Sequence, residues 1–317
     1  MSLNITATYD PNPEVNDGYS KFAYIHFTIA AVIALVLSLI GLLGNIIVLC
    51  YLCFKIQKNK FTIYSINLAV AYFIFLLFSV CILVLNINTL NNTYPNFQGK
   101  DSLYLFLEIF YDGTLYSGMF ILTVISLELC MSVKLPVWHK CQRPKALTVV
   151  ICVILWSIGC MESLLENLLC KADSFVAQTS GCTAIQLITF ASAVIVCLPV
   201  MVTSCLILLF HIKRRFDQQA SAELYAFIIS AVTVFIISVI PFNFLWFLMY
   251  FHLIPTDVQK VALYFASIYG TVLHCTIIPY IYILAELNRK AKSYRPEKDC
   301  NTDINTGKTV YEVTEQA

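Results

Sequence analysis

Charge is scarce in this chain: 12% of its 317 residues are charged, whereas 59% are hydrophobic. A soluble domain carries roughly 25% charged residues. A water-soluble fold of this length has no core large enough to hide so much apolar surface. The deficit excludes a soluble globular domain and makes membrane lipid the solvent. A net charge of +1 says nothing by itself about nucleic acid, and no basic run typical of a nucleic-acid binder occurs.

Other signals are missing too. There is no G-x-x-x-x-G-K-S/T, no H-E-x-x-H and no G-x-S-x-G, so nothing points to an enzyme. His26, His139, His211, His252 and His274 stand singly, without metal-ligand spacing. They are read as interface or packing residues, and no metal or cofactor is implied. A cleavable signal peptide is not expected either. The first apolar stretch starts near Phe22 and runs over thirty residues with no basic run before it, whereas a signal core spans about 7–15.

What the sequence does have is long apolar runs. A helix needs about 20 apolar residues to cross the hydrocarbon layer, and only helices or closed barrels satisfy their backbone there. These runs are too long for barrel strands. They predict an all-α, seven-transmembrane helix bundle, with spans at 25–53, 61–85, 103–133, 146–169, 184–212, 223–251 and 260–284. A short basic segment, Glu286 to Tyr294, suits a cytoplasmic interfacial helix. The organisation is then an extracellular N-terminus (1–24), a transmembrane domain with its interfacial helix (25–295) and a disordered cytoplasmic tail (296–317).

Orientation follows from the basic residues. One side holds Lys55, Lys58, Lys60, Lys134, Lys140, Arg143, Lys145, Lys213, Arg214, Arg215, Arg289, Lys290, Lys292 and Arg295; the other holds only Lys21, Lys100, Lys171 and Lys260. The N-terminus is therefore expected outside. Both N-x-S/T sequons with a non-proline middle residue, at Asn4 and Asn91, fall on the expected outer side as glycosylation candidates. Of thirteen cysteines only Cys170 and Cys182 lie in an expected extracellular loop. An oxidising exterior favours their pairing.

Acidic groups inside a bilayer cost about 2.5–3.5 kcal/mol each at the helix centre, so each needs a reason. The third span holds Glu108, Asp112 and Glu128, and the fourth holds Glu162 and Glu166. Glu108 and Asp112 are one helical turn apart, as are Glu162 and Glu166, so each pair shares a face. One reading is an acidic outer pocket that attracts cationic ligands. The other is hydrogen bonding to neighbouring helices, with Glu108 near the interface. The last span has no internal lysine, since Lys260 sits at its edge, so a retinal Schiff base is not expected.

Several landmarks stand in order: Gly44-Asn45, Leu68-Ala69, Trp156, Pro199, Pro241 and Pro279-Tyr280-Ile281-Tyr282. Together with seven spans they resemble the rhodopsin-like (class A) G-protein-coupled receptors. The third-span exit is more specific. Ile125-Ser126-Leu127-Glu128-Leu129-Cys130-Met131-Ser132-Val133, with Pro136, Trp138, Cys141, Arg143 and Pro144, resembles the Mas-related receptors, as does Pro241-Phe242-Asn243-Phe244-Leu245-Trp246-Phe247-Leu248. The resemblance covers roughly residues 25–295. It implies a plasma-membrane receptor for an extracellular peptide or small cationic ligand, with a heterotrimeric G protein as partner.

The same resemblance implies roles for particular residues. No cysteine lies between Cys81 and Cys130, so the usual bond from the top of the third span cannot form. Some Mas-related receptors instead bridge the positions of Cys170 and Cys182. Relatives that bind cationic peptides and amines use a glutamate four residues before this cysteine, which is Glu166 here. Their second acid, four residues after the later cysteine, is Gln186. The implied ligand set is Glu166, helped by Asp112 or Glu162, with Gln186, and with Phe242 and Trp246 giving cation–π or apolar contact. Glu128, Leu129, Pro241, Pro279 and Tyr282 fall at positions of activation and coupling. Three positions of the chain depart from the rhodopsin-like pattern: Tyr72 stands for the sodium-binding aspartate, Leu129 for the arginine after Glu128, and Ile278 for the asparagine before Pro279. Leu129 keeps open a second reading, a decoy or partner receptor that does not signal.

Overall fold

The computed structural model describes residues 13–55, 60–90, 100–135, 144–170, 179–214, 219–251 and 257–293. The regular elements among them are all helical: α1 (Pro13–Phe54), α2 (Lys60–Leu90), α3 (Lys100–Lys134), α4 (Lys145–Leu169), α5 (Ser180–Phe190), a π segment (Ala191–Cys197), α6 (Leu198–Arg214), α7 (Gln219–Ser238), α8 (Ile240–Tyr250) and α9 (Asp257–Ser293). Seven stretches among the described residues are long and apolar enough to cross a bilayer: Thr28–Phe54, Lys60–Asn88, Ser102–Lys134, Ala146–Leu169, Ser180–Lys213, Leu224–Leu245 and Ala266–Asn288. They match the spans expected from sequence in number and order.

Two prolines explain where the rods deviate from plain α-helix. Proline gives no N–H and its ring crowds the carbonyl four residues back. In the fifth rod the π segment ends two residues before Pro199, and the wider turn relieves that crowding. In the sixth, α7 stops at Ser238 and α8 restarts at Ile240, so Pro241 breaks the rod at Val239. The seventh rod absorbs Pro279 without a break. The basic segment from Glu286 is helical up to Ser293, as the uninterrupted end of α9 rather than a separate helix; Tyr294 lies outside the described residues. So do Asn4 and Asn91.

The packing is that of a closed ring: α1 touches both α2 and α9, α3 packs on α2, α4 and α6, and α7 packs on α9. Tyr64, Tyr72, Phe75, Leu122 and Phe235 fill the interior, fully buried. The outside is greasier than any aqueous surface, with Ile237 70% exposed and Ile195 65% exposed. That inside-out arrangement fits hydrocarbon surroundings.

Lipid offers no hydrophobic drive between helices, so close backbones and hydrogen bonds hold the seams. Along α1 and α9, hydroxyls of one helix find carbonyls of the other. Thr276 Oγ1 donates to Leu37 O at 3.1 Å, Tyr280 to Ile40 O at 3.0 Å, and Tyr269 to Ala30 O. Asn45 Nδ2 reaches Cys275 O at 3.2 Å. The α3–α4 seam depends on Gly159, where an added Cβ would sit 2.6 Å from the backbone nitrogen of Ser117.

Candidate functional site

The disulfide Cys170–Cys182 joins the end of α4 to the start of α5, with Cα atoms 4.9 Å apart. Thr179 caps α5 by accepting from the backbone nitrogen of Cys182 at 3.2 Å. This joint fixes the register of two facing helices. Glu166 lies one turn before Cys170, whose nitrogen donates to Glu166 O at 2.8 Å, and Gln186 lies one turn after Cys182. Equal offsets from one covalent joint bring the two side chains together. Gln186 Nε2 donates to Glu166 Oε1 at 2.9 Å and lies 3.9 Å from Cys170 Sγ.

The other carboxylate oxygen, Oε2, accepts from the hydroxyl of Tyr116 on α3. Asp112 lies on α3 one turn before Tyr116. It is engaged elsewhere: its Oδ2 accepts from Asn167 Nδ2 at 3.0 Å, and Asn167 also donates to Ser163 O at 3.0 Å. Ser163 Oγ in turn donates to Ile109 O at 2.7 Å. Asp112 is thus tied into the α3–α4 seam.

Glu162 is buried one turn deeper, beside Ser192 of the π segment, and its Oε2 has no hydrogen-bond partner among the described residues. Of the implied acidic residues, Glu166 opens into a cleft. That cleft is lined by Tyr116 and Met119 of α3, Glu166, Gln186 and Phe190, and Asn243 and Phe247 of α8, with Phe235 also in its wall. Its volume is about 50 Å³. A water needs about 10–15 Å³ by this measure, so the space admits a few waters or one small polar group.

Aromatic residues form one side. Phe190 and Phe247 stack with centroids 3.9 Å apart and planes 20° from parallel. Phe242 instead packs on α9, where a Cβ at Gly270 would lie 2.7 Å from its ring. The side chain of Trp246 lies outside the described residues. Tyr116, Phe190, Asn243 and Phe247 were missed in the sequence. The available signal was weak: Tyr116 follows Asp112, and Phe190 follows Gln186, by one turn each.

Known proteins bear on this geometry. Residues 44–282 match the family described as 7 transmembrane receptor (rhodopsin family). The chain is 30% identical to Mas-related G-protein coupled receptor member X2 of Mus musculus over 293 residues, 89% of this chain and 77% of that receptor. It is 30% identical to Mas-related G-protein coupled receptor member X1 of Homo sapiens over 84% of this chain and 80% of that one. With Proto-oncogene Mas of Homo sapiens the identity is 27%, over 89% and 83% respectively. The chain belongs to the Mas-related receptors of the rhodopsin family.

In this Mas-related receptor an aromatic pair is buried in the bundle between α2 and α9. Tyr72 and His274 share a hydrogen bond at 2.8 Å. Further from the disulfide, Leu129 is 1% exposed, sunk in the core with Ile125 and Leu208. Glu128 beside it is partly buried. Tyr282 meets Phe227 edge-on, centroids 5.3 Å apart. A second small cavity of about 20 Å³ lies between Asn45, Ser65, Tyr72, Pro279 and Tyr282.

Proposed function

We propose that this Mas-related receptor sits in the plasma membrane with its N-terminus and disulfide end outside, and that Glu166 captures the cationic group of a peptide or amine there. One observation carries the reading: Glu166 is an acidic side chain that opens into the cleft, and aromatic rings line the same cleft. A carboxylate in a poorly solvated site is costly without a counter-charge. Among the described residues lining the cleft there is no lysine or arginine. An incoming ammonium group supplies the missing charge, and the aromatic faces add cation–π or apolar contact.

The orientation rests on the fourteen-to-four distribution of basic residues and on the disulfide, which belongs in an oxidising compartment. Staining of a tag fused after Ala317 on intact, unpermeabilised cells would invert it. Signalling is a population shift, in which a ligand favours the state it binds more tightly. The cleft joins α4 and α5 to α8, and α8 is hinged to α7 at Val239. A ligand bridging them biases that joint, and the cytoplasmic partner is a heterotrimeric G protein. The test is a cell-based panel of G-protein reporters challenged with basic peptides and amines. Glu166→Gln should abolish the response; unchanged potency in that variant would remove the anchor from the account.

A second reading is a decoy or partner receptor that does not activate G protein. Leu129 favours it, since a buried leucine offers no charge to the cytoplasmic partner. G-protein activation by the wild-type chain excludes this reading. A silent wild type that gains activation with Leu129→Arg supports it.

A further inference from the structure

The cleft is stoppered from within. Glu166 has two carboxylate oxygens, and each already holds a neutral donor: Tyr116 on Oε2 and the amide of Gln186 on Oε1. The two stoppers are not equivalent. Gln186 sits on α5 with its nitrogen 2.9 Å from the acid, where a ligand's N–H would also have to sit. Tyr116 comes from α3, on the other side of the carboxylate, and spends its only proton there. Asp112 adds no second anchor, because Asn167 and the α3–α4 seam hold it.

We propose that Gln186 is an internal surrogate for the ligand's cation, and that displacing it opens a site for a single ammonium group in preference to a guanidinium. The inference rests on the reading that Glu166 takes a cation. Guanidinium recognition gains from two parallel N–H···O bonds to both oxygens of one carboxylate. Removing the Gln186 amide frees one oxygen, while Tyr116 keeps the other. An ammonium is a compact point charge that needs only one oxygen. The cleft volume of about 50 Å³ suits that smaller head. Phe190 and Phe247 then lie against the carbon stem.

The probes are phenethylamine and its matched analogue phenethylguanidine, titrated against the purified full-length receptor in lipid nanodiscs, with the melting temperature as readout. Wild type should be stabilised by the amine and bind the guanidine about tenfold more weakly, the worth of roughly one charge-assisted hydrogen bond. Gln186→Ala removes the competitor and should tighten amine binding about tenfold. Tyr116→Phe frees the second oxygen and should bring the guanidine level with the amine. Equal binding of both probes by wild type, or a guanidine penalty that persists in Tyr116→Phe, overturns the ammonium preference; no gain in Gln186→Ala overturns the surrogate role. Glu166→Gln separates the two levels. Amine binding that survives in it overturns the anchor itself, as does absence of amine binding in both wild type and Gln186→Ala. Loss in Glu166→Gln together with no gain in Gln186→Ala overturns only the surrogate.

Discussion

Tyr72 of α2 and His274 of α9 meet at the centre of the bundle, hydroxyl to Nε2, at 2.8 Å. Their rings cross edge-on with centroids 5.3 Å apart, and both residues are buried, Tyr72 to 2% and His274 to 1% exposure. The pair links two helices across the interior of the bundle. Tyrosine has no carboxylate with which to hold a sodium ion. The thermal stability of the purified receptor should therefore not change when sodium is replaced by choline at constant ionic strength. Tyr72→Phe should lower stability by about 1–3 kcal/mol, because it strands a buried ring nitrogen. His274 Nδ1 already lacks a partner among the described residues. Sodium-dependent melting of the wild type would show that a cation still binds here.

The two glycines at the α3–α4 seam make a controlled pair. Alanine is favoured over glycine in a helix by roughly 1 kcal/mol. At Gly113 the new Cβ would lie 3.5 Å from Ser163 Cβ, ordinary contact, so Gly113→Ala should be neutral or mildly stabilising. At Gly159 it would meet the backbone nitrogen of Ser117 at 2.6 Å, and backbone cannot swing aside. Gly159→Ala should cost about 1–3 kcal/mol through overpacking. Melting curves of the two variants decide it, and equal midpoints would mean that the seam is looser than described.

The fold was largely legible, because spans are written in long apolar runs that hydrocarbon forces into helices. Pro241 was visible in the sequence, but its break at Val239 determines which aromatic residues face the cleft. That is why Phe242 was expected at the site while Asn243 and Phe247 line it. Six of the eleven residues in Ile240–Tyr250 are aromatic or proline, so side-chain type alone could not separate the faces. Glu166 and Gln186 were expected because the resemblance to Mas-related receptors places a polar partner four residues from each of Cys170 and Cys182. Tyr116 was not, since a tyrosine in an apolar span resembles any packing residue. The end of α9 was expected as a separate helix; nothing between Glu286 and Ser293 is a glycine or proline, and the helix runs on.

Because the disulfide fixes the offset between Glu166 and Gln186, its loss should damage binding more than folding. Cross-linking over a loop of about 15 residues stabilises by about 3 kcal/mol in the chain-entropy model, and the sequence separation here is 12. The bundle retains its other seams in Cys170→Ser/Cys182→Ser. That double variant should still melt cooperatively at a lower temperature while losing the amine-induced shift. A retained shift of wild-type size would mean that the facing of α4 and α5 is set by packing without the bridge.

Phe235 connects the cleft to the buried pair. It lines the cleft and also packs edge-on against His274, centroids 5.3 Å apart. His274 is thus touched by Phe235 on one side and by Tyr72 on another. Residues sharing a partner do not act independently; their coupling energies run to about 0.5–3 kcal/mol, whereas distant sites add within roughly 0.3–0.5. Phe235→Leu, Tyr72→Phe and the double variant form the cycle, read as melting free energy with and without phenethylamine. The expected result is non-additivity above about 0.5 kcal/mol that changes when the amine is bound, since ligand contact with the cleft wall reaches His274 through Phe235. Additive losses in both conditions would leave the cleft and the Tyr72–His274 pair as separate devices.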